Sequence, residues 1–209
     1  PKTESVKSKM DSIEPTNLHA RASAPLASTV EEKIAEAEKW KEEGNEKFKA
    51  GKLKKARVLY NRVFAYTHGL NGERNEADQW AGLMGRSSQT AVTPEQTLRV
   101  RNIITTTRSN LAMVSLKLDD HVEALKQCDL GLKEYDATPV EGQNKNVLCK
   151  ILFRQGQAYS MGDDFDKAKE SFEKALALDP ENKSLIREQK ILARKLKASE
   201  KDQQKILGR

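Results

Sequence analysis

The chain has 209 residues, of which 37% are hydrophobic, 5% aromatic and 33% charged, and its formal net charge is +6. This composition favours amphipathic helices stacked around a thin shared core rather than one large core. Basic and acidic residues are interleaved and aromatic residues are scarce, which argues against nucleic acid as the main partner. No apolar run approaches the roughly 20 residues of a membrane-spanning helix.

The two cysteines do not make a disulfide framework, and Cys128 lies where the helical pattern requires an apolar or aromatic side chain. We therefore expect a buried, reduced thiol at that position. The polar start of the chain has no secretory signal, which favours a cytoplasmic protein. Because the chain begins at Pro1, we expect it to be a fragment of a longer protein.

The first 27 residues contain three prolines and no sustained hydrophobic period, so residues 1–27 are predicted to be a flexible linker. Helical order is predicted to begin at Ser28, because Ser28 at the N-cap and Glu31 at the third helical position match a capping box. The first repeat, residues 30–70, is predicted to contain two helices separated by Gly51.

A glycine- and serine-rich insertion, residues 71–93, is predicted to follow the first repeat. It ends at a helix start in which Thr93 is the N-cap, Pro94 the first helical residue and Gln96 the third. Two more helix pairs and a basic helix that caps the array complete a domain predicted to span 28–207. The predicted ranges are 94–136 for the second repeat, 144–179 for the third and 181–207 for the capping helix.

Small and aromatic residues recur at matching or adjacent positions along the chain. The first segment has Gly44, Phe48, Ala56 and Tyr60, and the third has Gly156, Tyr159, Ala168 and Phe172. This pattern resembles the tetratricopeptide repeat (TPR), in which two helices pack closely. The resemblance implies an all-α fold, with three helix pairs in a right-handed superhelical array and a long C-terminal capping helix.

The three repeats can be aligned on Ala56, Ala124 and Ala168, which are 68 and 44 residues apart. A TPR has about 34 residues, so both spacings are long. The first gap lacks the small and aromatic positions of a further repeat. We therefore predict an extended helix and a loop there, rather than a fourth repeat.

Five polar side chains lie on the predicted first helices of the pairs. Lys41 and Asn45 are four residues apart and share one helix face, and Lys150 and Arg154 repeat that spacing in the third pair. Asn110 precedes the alanine of its repeat by 14 residues, as Arg154 does in the third repeat. These five side chains are therefore expected to point into one concave groove.

This set of residues resembles the carboxylate clamp of co-chaperone TPR domains. The resemblance implies that the groove binds the extreme C-terminus of heat-shock protein 90 or 70, which ends Glu-Glu-Val-Asp. The basic side chains would neutralise the two carboxylates of the terminal aspartate, and the asparagine amides would donate hydrogen bonds. Four side chains one turn along the same faces are expected to support the preceding peptide residues: Phe48, Thr106, Met113 and Lys117.

Two further stretches, residues 109–118 and 152–156, resemble the C-terminal TPR domain of large immunophilins of the FK506-binding-protein-like or cyclophilin-like type. These immunophilins carry peptidyl-prolyl isomerase domains ahead of their repeats. The resemblance therefore implies a non-catalytic TPR fragment, with an isomerase domain as a candidate for the missing upstream part.

Other functions compete with this hypothesis. A general scaffold or self-association module would use the same groove to bind an internal segment of another protein. An enzyme is not favoured, because His19, His68 and His121 show no catalytic or metal-binding spacing, and no cofactor or metal is predicted. The basic final helix also has the character of helices that calmodulin binds, but an end cap is the preferred interpretation.

Overall fold

The computed structural model describes residues 29–72 and 92–208. The predicted linker and most of the predicted insertion, residues 73–91, lie outside this part of the chain, as does Ser28. The described residues form seven α-helices and one short 3-10 helix, Val140–Gly142, and they contain no strand. The α-helices are α1 (Val30–Lys49), α2 (Leu53–Thr67), α3 (Pro94–Lys117), α4 (His121–Asp136), α5 (Lys145–Met161), α6 (Phe165–Leu178) and α7 (Lys183–Leu207).

The α-helices pack as three pairs followed by a terminal helix. α1 packs on α2, α3 on α4 and α5 on α6, and α7 packs mainly on α6. The first helices of the pairs also meet, because α3 contacts both α1 and α5. The predicted all-α fold of three helix pairs and a final helix is therefore confirmed for the described residues.

The start of α1 differs from the prediction by one residue. Thr29, not Ser28, is the N-cap, and its Oγ1 accepts a hydrogen bond from the Glu32 backbone nitrogen at 3.2 Å. Glu32, not Glu31, returns the bond to the Thr29 nitrogen at 3.0 Å. The two overlapping boxes have the same local chemistry. The observed one leaves Glu31 free to pair with Arg99 of α3 at 2.6 Å, which is a tertiary contact.

Each outer helix pair is held together by an aromatic ring packed on a glycine. A Cβ added to Gly44 of α1 would lie 2.6 Å from Tyr60 of α2, and one added to Gly156 of α5 would lie 2.5 Å from Phe172 of α6. Both rings are almost completely buried. The paired helices therefore approach so closely that no side chain larger than hydrogen fits at either glycine.

The terminal helix α7 covers the end of the third pair. Leu185 and Leu192 are buried in a cluster with Cys149, Leu152, Phe172 and neighbouring residues. Lys195 Nζ donates to the Ser160 carbonyl oxygen at 3.1 Å, which ties the outer part of α7 to α5. None of the helices in the described ranges is both long and apolar enough to cross a membrane.

Candidate functional site

The five polar residues singled out in the sequence lie on α1, α3 and α5, the first helices of the three pairs. α1 carries Lys41 and Asn45, α3 carries Asn110, and α5 carries Lys150 and Arg154. Because α3 contacts both α1 and α5, the three helices form one continuous surface.

The amides of Asn45 and Asn110 are in direct contact. Asn110 Nδ2 donates to Asn45 Oδ1 at 3.1 Å, and the Tyr60 hydroxyl donates to the same oxygen at 2.8 Å. Asn45 Nδ2 donates to Glu42 Oε2 at 2.9 Å. The Asn45 carbonyl oxygen is therefore occupied by two protein donors. Among the residues that the structure describes, its amide nitrogen donates only to Glu42, an exposed carboxylate on the same helix.

Arg154 is a buried cation beside these amides. Its side chain is only 9% exposed, and a guanidinium nitrogen donates to Ser109 Oγ, next to Asn110 in the chain. No carboxylate in the described part of the chain forms a salt bridge with Arg154. The polar groups that favour its charged form are the Cys128 thiol and the Tyr60 hydroxyl. Burial lowers the pKa of the Arg154 guanidinium to about 10, because removal from water penalises the charged form.

The two lysines of the set are more accessible than Arg154. Lys41 is half-buried one turn before Asn45, and Lys150 is exposed one turn before Arg154. Neither ammonium forms a hydrogen bond or a salt bridge with another described side chain. Free ammonium groups of this kind can move to meet an incoming anion at the edge of the groove.

The predicted supporting residues continue the same faces. Lys117 Nζ lies 5.9 Å from the centre of the Phe48 ring, so these two side chains meet between α1 and α3. Phe48 also packs against the buried cluster that includes Tyr60 and Leu111. Thr106 and Met113 are half-buried on α3. Contact of these four residues with a ligand stays a prediction.

Two hydroxyl groups at the site were missed in the sequence. The repeat pattern predicts only a packing role for Tyr60, and Ser109 stands out only as part of the stretch 109–118. For Ser109, the sequence feature that indicates a role at the site is its position next to Asn110. For Tyr60, the sequence feature that indicates a role beyond packing is its hydroxyl, because the equivalent residue of the third repeat is Phe172.

The arrangement can bind a compact anion. It combines three cationic side chains with two amides, and the described residues contain no group of three His, Cys, Asp or Glu side chains that could hold a metal ion. The acceptor best suited to two adjacent amides and a guanidinium is a carboxylate, which can accept several hydrogen bonds at once.

Comparison with known proteins agrees with this architecture. A family model for the tetratricopeptide repeat matches residues 149–182. The C-terminal TPR-containing domain of a putative FK506-binding protein from Plasmodium falciparum superposes with a TM-score of 0.63 and 26% identity, over 83% of this chain and 96% of that one. The chain therefore contains a tetratricopeptide repeat at residues 149–182. It resembles the C-terminal TPR domains of large immunophilins.

One curated relative and one further solved structure are also similar to the chain. The peptidyl-prolyl cis-trans isomerase FKBP42 of Arabidopsis thaliana is 32% identical over 170 residues, 81% of this chain and 39% of the relative. The first TPR of Spaghetti, solved with the HSP90 peptide SRMEEVD, shares the fold with a TM-score of 0.51 and 20% identity, over 78% of this chain and 94% of that one. The chain spans less than two fifths of the length of the first curated relatives it matches.

Proposed function

We propose that this TPR domain is the chaperone-binding module of a co-chaperone. Its groove binds the C-terminal Glu-Glu-Val-Asp peptide of heat-shock protein 90, heat-shock protein 70 or both. Five side chains form a clamp for the two carboxylates of the terminal aspartate: Lys41, Asn45, Asn110, Lys150 and Arg154.

The observation that carries this proposal is the burial of Arg154 without an acidic partner in the described residues. A buried cation costs free energy unless it is paired and hydrogen-bonded. Within residues 29–72 and 92–208, its guanidinium makes one hydrogen bond, to Ser109, which leaves several donors for a ligand. A carboxylate supplied by a ligand would satisfy both the charge and these donors.

The other clamp residues complement Arg154. Asn110 of α3 donates a hydrogen bond to Asn45 of α1, and the amide nitrogen of each has a hydrogen left for an acceptor. Lys41 and Lys150 add positive charge at the rim, where it attracts an acidic peptide and speeds its association. Phe48 with Lys117, Thr106 and Met113 are proposed to contact the peptide residues that precede the terminal aspartate.

The relatives support this proposal. The first TPR of Spaghetti, which shares the fold, was solved with a peptide that ends Glu-Glu-Val-Asp. The matched FK506-binding relatives are named peptidyl-prolyl isomerases, and the chain covers only a part of them. We assign the binding step, not isomerisation, to this domain. A cytoplasmic location is part of the proposal, because both described cysteines are free, buried thiols.

The test is a calorimetric titration with two versions of the peptide Met-Glu-Glu-Val-Asp. The free acid is expected to bind with a Kd of about 1 μM, near −8 kcal/mol. The peptide amidated at its C-terminus lacks one carboxylate and is expected to bind far more weakly. Equal binding of both forms would favour the alternative function, a scaffold or self-association module that binds an internal segment.

Glu42 is expected to compete with the ligand. Its carboxylate already accepts from the Asn45 amide nitrogen at 2.9 Å, and its negative charge opposes an incoming carboxylate. Glu42→Gln is therefore predicted to tighten binding of the free-acid peptide by about two- to fivefold. The measurement is the same titration at low ionic strength.

Glu46→Gln is the matched control for this prediction. Glu46 lies one turn further along α1, is exposed, and does not bond to Asn45. Glu46→Gln removes the same charge but leaves the bond between Asn45 and Glu42 intact. Its effect on affinity is therefore expected to be smaller than that of Glu42→Gln. Equal gains from the two variants would show that general charge, rather than the contact with Asn45, is responsible.

A further inference from the structure

We infer that Tyr60, a side chain of α2 outside the five clamp residues, is a positioning residue of the clamp. Its hydroxyl fixes the Asn45 amide with the carbonyl oxygen turned inward and the amide nitrogen turned toward the ligand carboxylate. This inference rests on the proposed function and deepens it. The groove then depends on a second-helix residue that does not itself touch the peptide.

The ring and the hydroxyl of Tyr60 have separate roles. The ring packs on Gly44, where an added Cβ would approach Tyr60 Cε1 to 2.6 Å. In the third repeat the equivalent position is Phe172, which packs on Gly156 in the same way. The glycine contact is therefore made equally well by phenylalanine. Packing alone does not account for the hydroxyl at position 60.

The hydroxyl restrains the orientation of one amide. Tyr60 Oη donates to Asn45 Oδ1 at 2.8 Å, and the second donor to that oxygen is Asn110 Nδ2 at 3.1 Å. An asparagine amide can otherwise rotate so that its oxygen and nitrogen exchange places. In the rotated state the Asn45 oxygen would face the ligand carboxylate and repel it. Two donors to one oxygen exclude that state.

The position of the hydroxyl also links the two sides of the groove. Tyr60 is 1% exposed, and burial raises its pKa to about 12, a shift that the Arg154 charge and the Asn110 side chain oppose. The phenol therefore remains protonated, and remains a donor, at neutral pH. The Tyr60 hydroxyl therefore interacts electrostatically with Arg154 of α5 and also donates a hydrogen bond to Asn45 of α1.

The experiment is a double-mutant cycle on binding of the free-acid Met-Glu-Glu-Val-Asp peptide. Tyr60→Phe is expected to weaken binding by about fivefold, the size of one neutral hydrogen bond. In an Asn45→Ala background the same change is expected to have almost no effect, because the amide it orients is gone. A purely structural role would weaken binding equally in both backgrounds, and that additive result would overturn the inference.

Two further measurements complete the design. Tyr135→Phe removes the hydroxyl of another buried tyrosine and is expected to leave affinity unchanged. In the unliganded wild-type protein, NMR is expected to show contacts between the Tyr60 ring edge and the Asn45 side-chain amide, and their absence would overturn the inference even if Tyr60→Phe failed to fold. A wild-type protein that binds neither peptide form would instead overturn the proposed function, and the inference with it.

Discussion

Arg154→Met is expected to weaken binding of the free-acid peptide by at least about 100-fold while leaving the free energy of unfolding unchanged or raising it by up to about 2 kcal/mol. The two effects have one cause. The guanidinium is buried beside Ser109, Tyr60 and Cys128 without an acidic partner in the described residues. Its charge therefore lowers the stability of the domain when no ligand is bound. Methionine has a similar length without that charge. Calorimetry and chemical denaturation measure the two quantities.

Arg108→Met is the matched control for this prediction. Arg108 is also partly buried on a first helix, but it stacks on Phe64 of α2 at 3.8 Å and bonds to Gln127 of α4 at 2.9 Å. It therefore faces the second helices and not the groove. Its loss is expected to reduce stability and to leave affinity nearly unchanged. Retained binding in Arg154→Met, or equal loss in both variants, would refute the clamp assignment.

Gly156→Ala is expected to lower the free energy of unfolding by about 2 kcal/mol, despite the higher helix propensity of alanine. The new Cβ would lie 2.5 Å from two atoms of the Phe172 ring, which is fully buried between α5 and α6 and cannot move aside without disturbing the core. Helices α5 and α6 must then separate. Urea denaturation followed by circular dichroism measures the change.

Gly131→Ala provides the comparison within the same domain. A Cβ there would meet Ile151 at 3.2 Å and Arg108 at 3.3 Å, contacts that need only a small adjustment. The gain in helix propensity, about 0.5–1 kcal/mol, is expected to offset that adjustment. Phe172→Leu should partly relieve the Gly156→Ala defect, so the double variant should cost less than the sum of the two single changes. Similar effects at the two glycines would contradict the close-packing account.

Much of the fold could be predicted from the sequence because its signals are local. α3 begins where it was predicted, with Thr93 as the N-cap, Pro94 first and Gln96 third, and these residues form a capping box. The placement of Asn110 and Arg154 on the first helices of their pairs follows from the alignment of the repeats, in which both precede the alanine by 14 residues. The small and aromatic positions identified the helix pairs because they report a close approach of two backbones.

The remaining features depend on tertiary contacts that no local pattern encodes. Ser28 and Thr29 both have the local pattern of a cap, and only the structure shows that Thr29 is the cap while Glu31 and Glu38 pair with Arg99, which is more than 60 residues away. The burial of Arg154 results from how α3, α4 and the ring of Tyr60 surround it. The repeat pattern predicts that a ring fills position 60, but it does not predict that the Tyr60 hydroxyl donates a hydrogen bond to Asn45.

A crystal structure of the domain with the peptide Met-Glu-Glu-Val-Asp tests the central claim most directly. The clamp predicts that the two carboxylates of the terminal aspartate lie at about 2.7–3.1 Å from nitrogen atoms of Asn45, Asn110 and Arg154. The ammonium groups of Lys41 and Lys150 are expected within about 4 Å of the same carboxylates. A peptide bound with its C-terminus away from Arg154, or outside the groove of α1, α3 and α5, would contradict it.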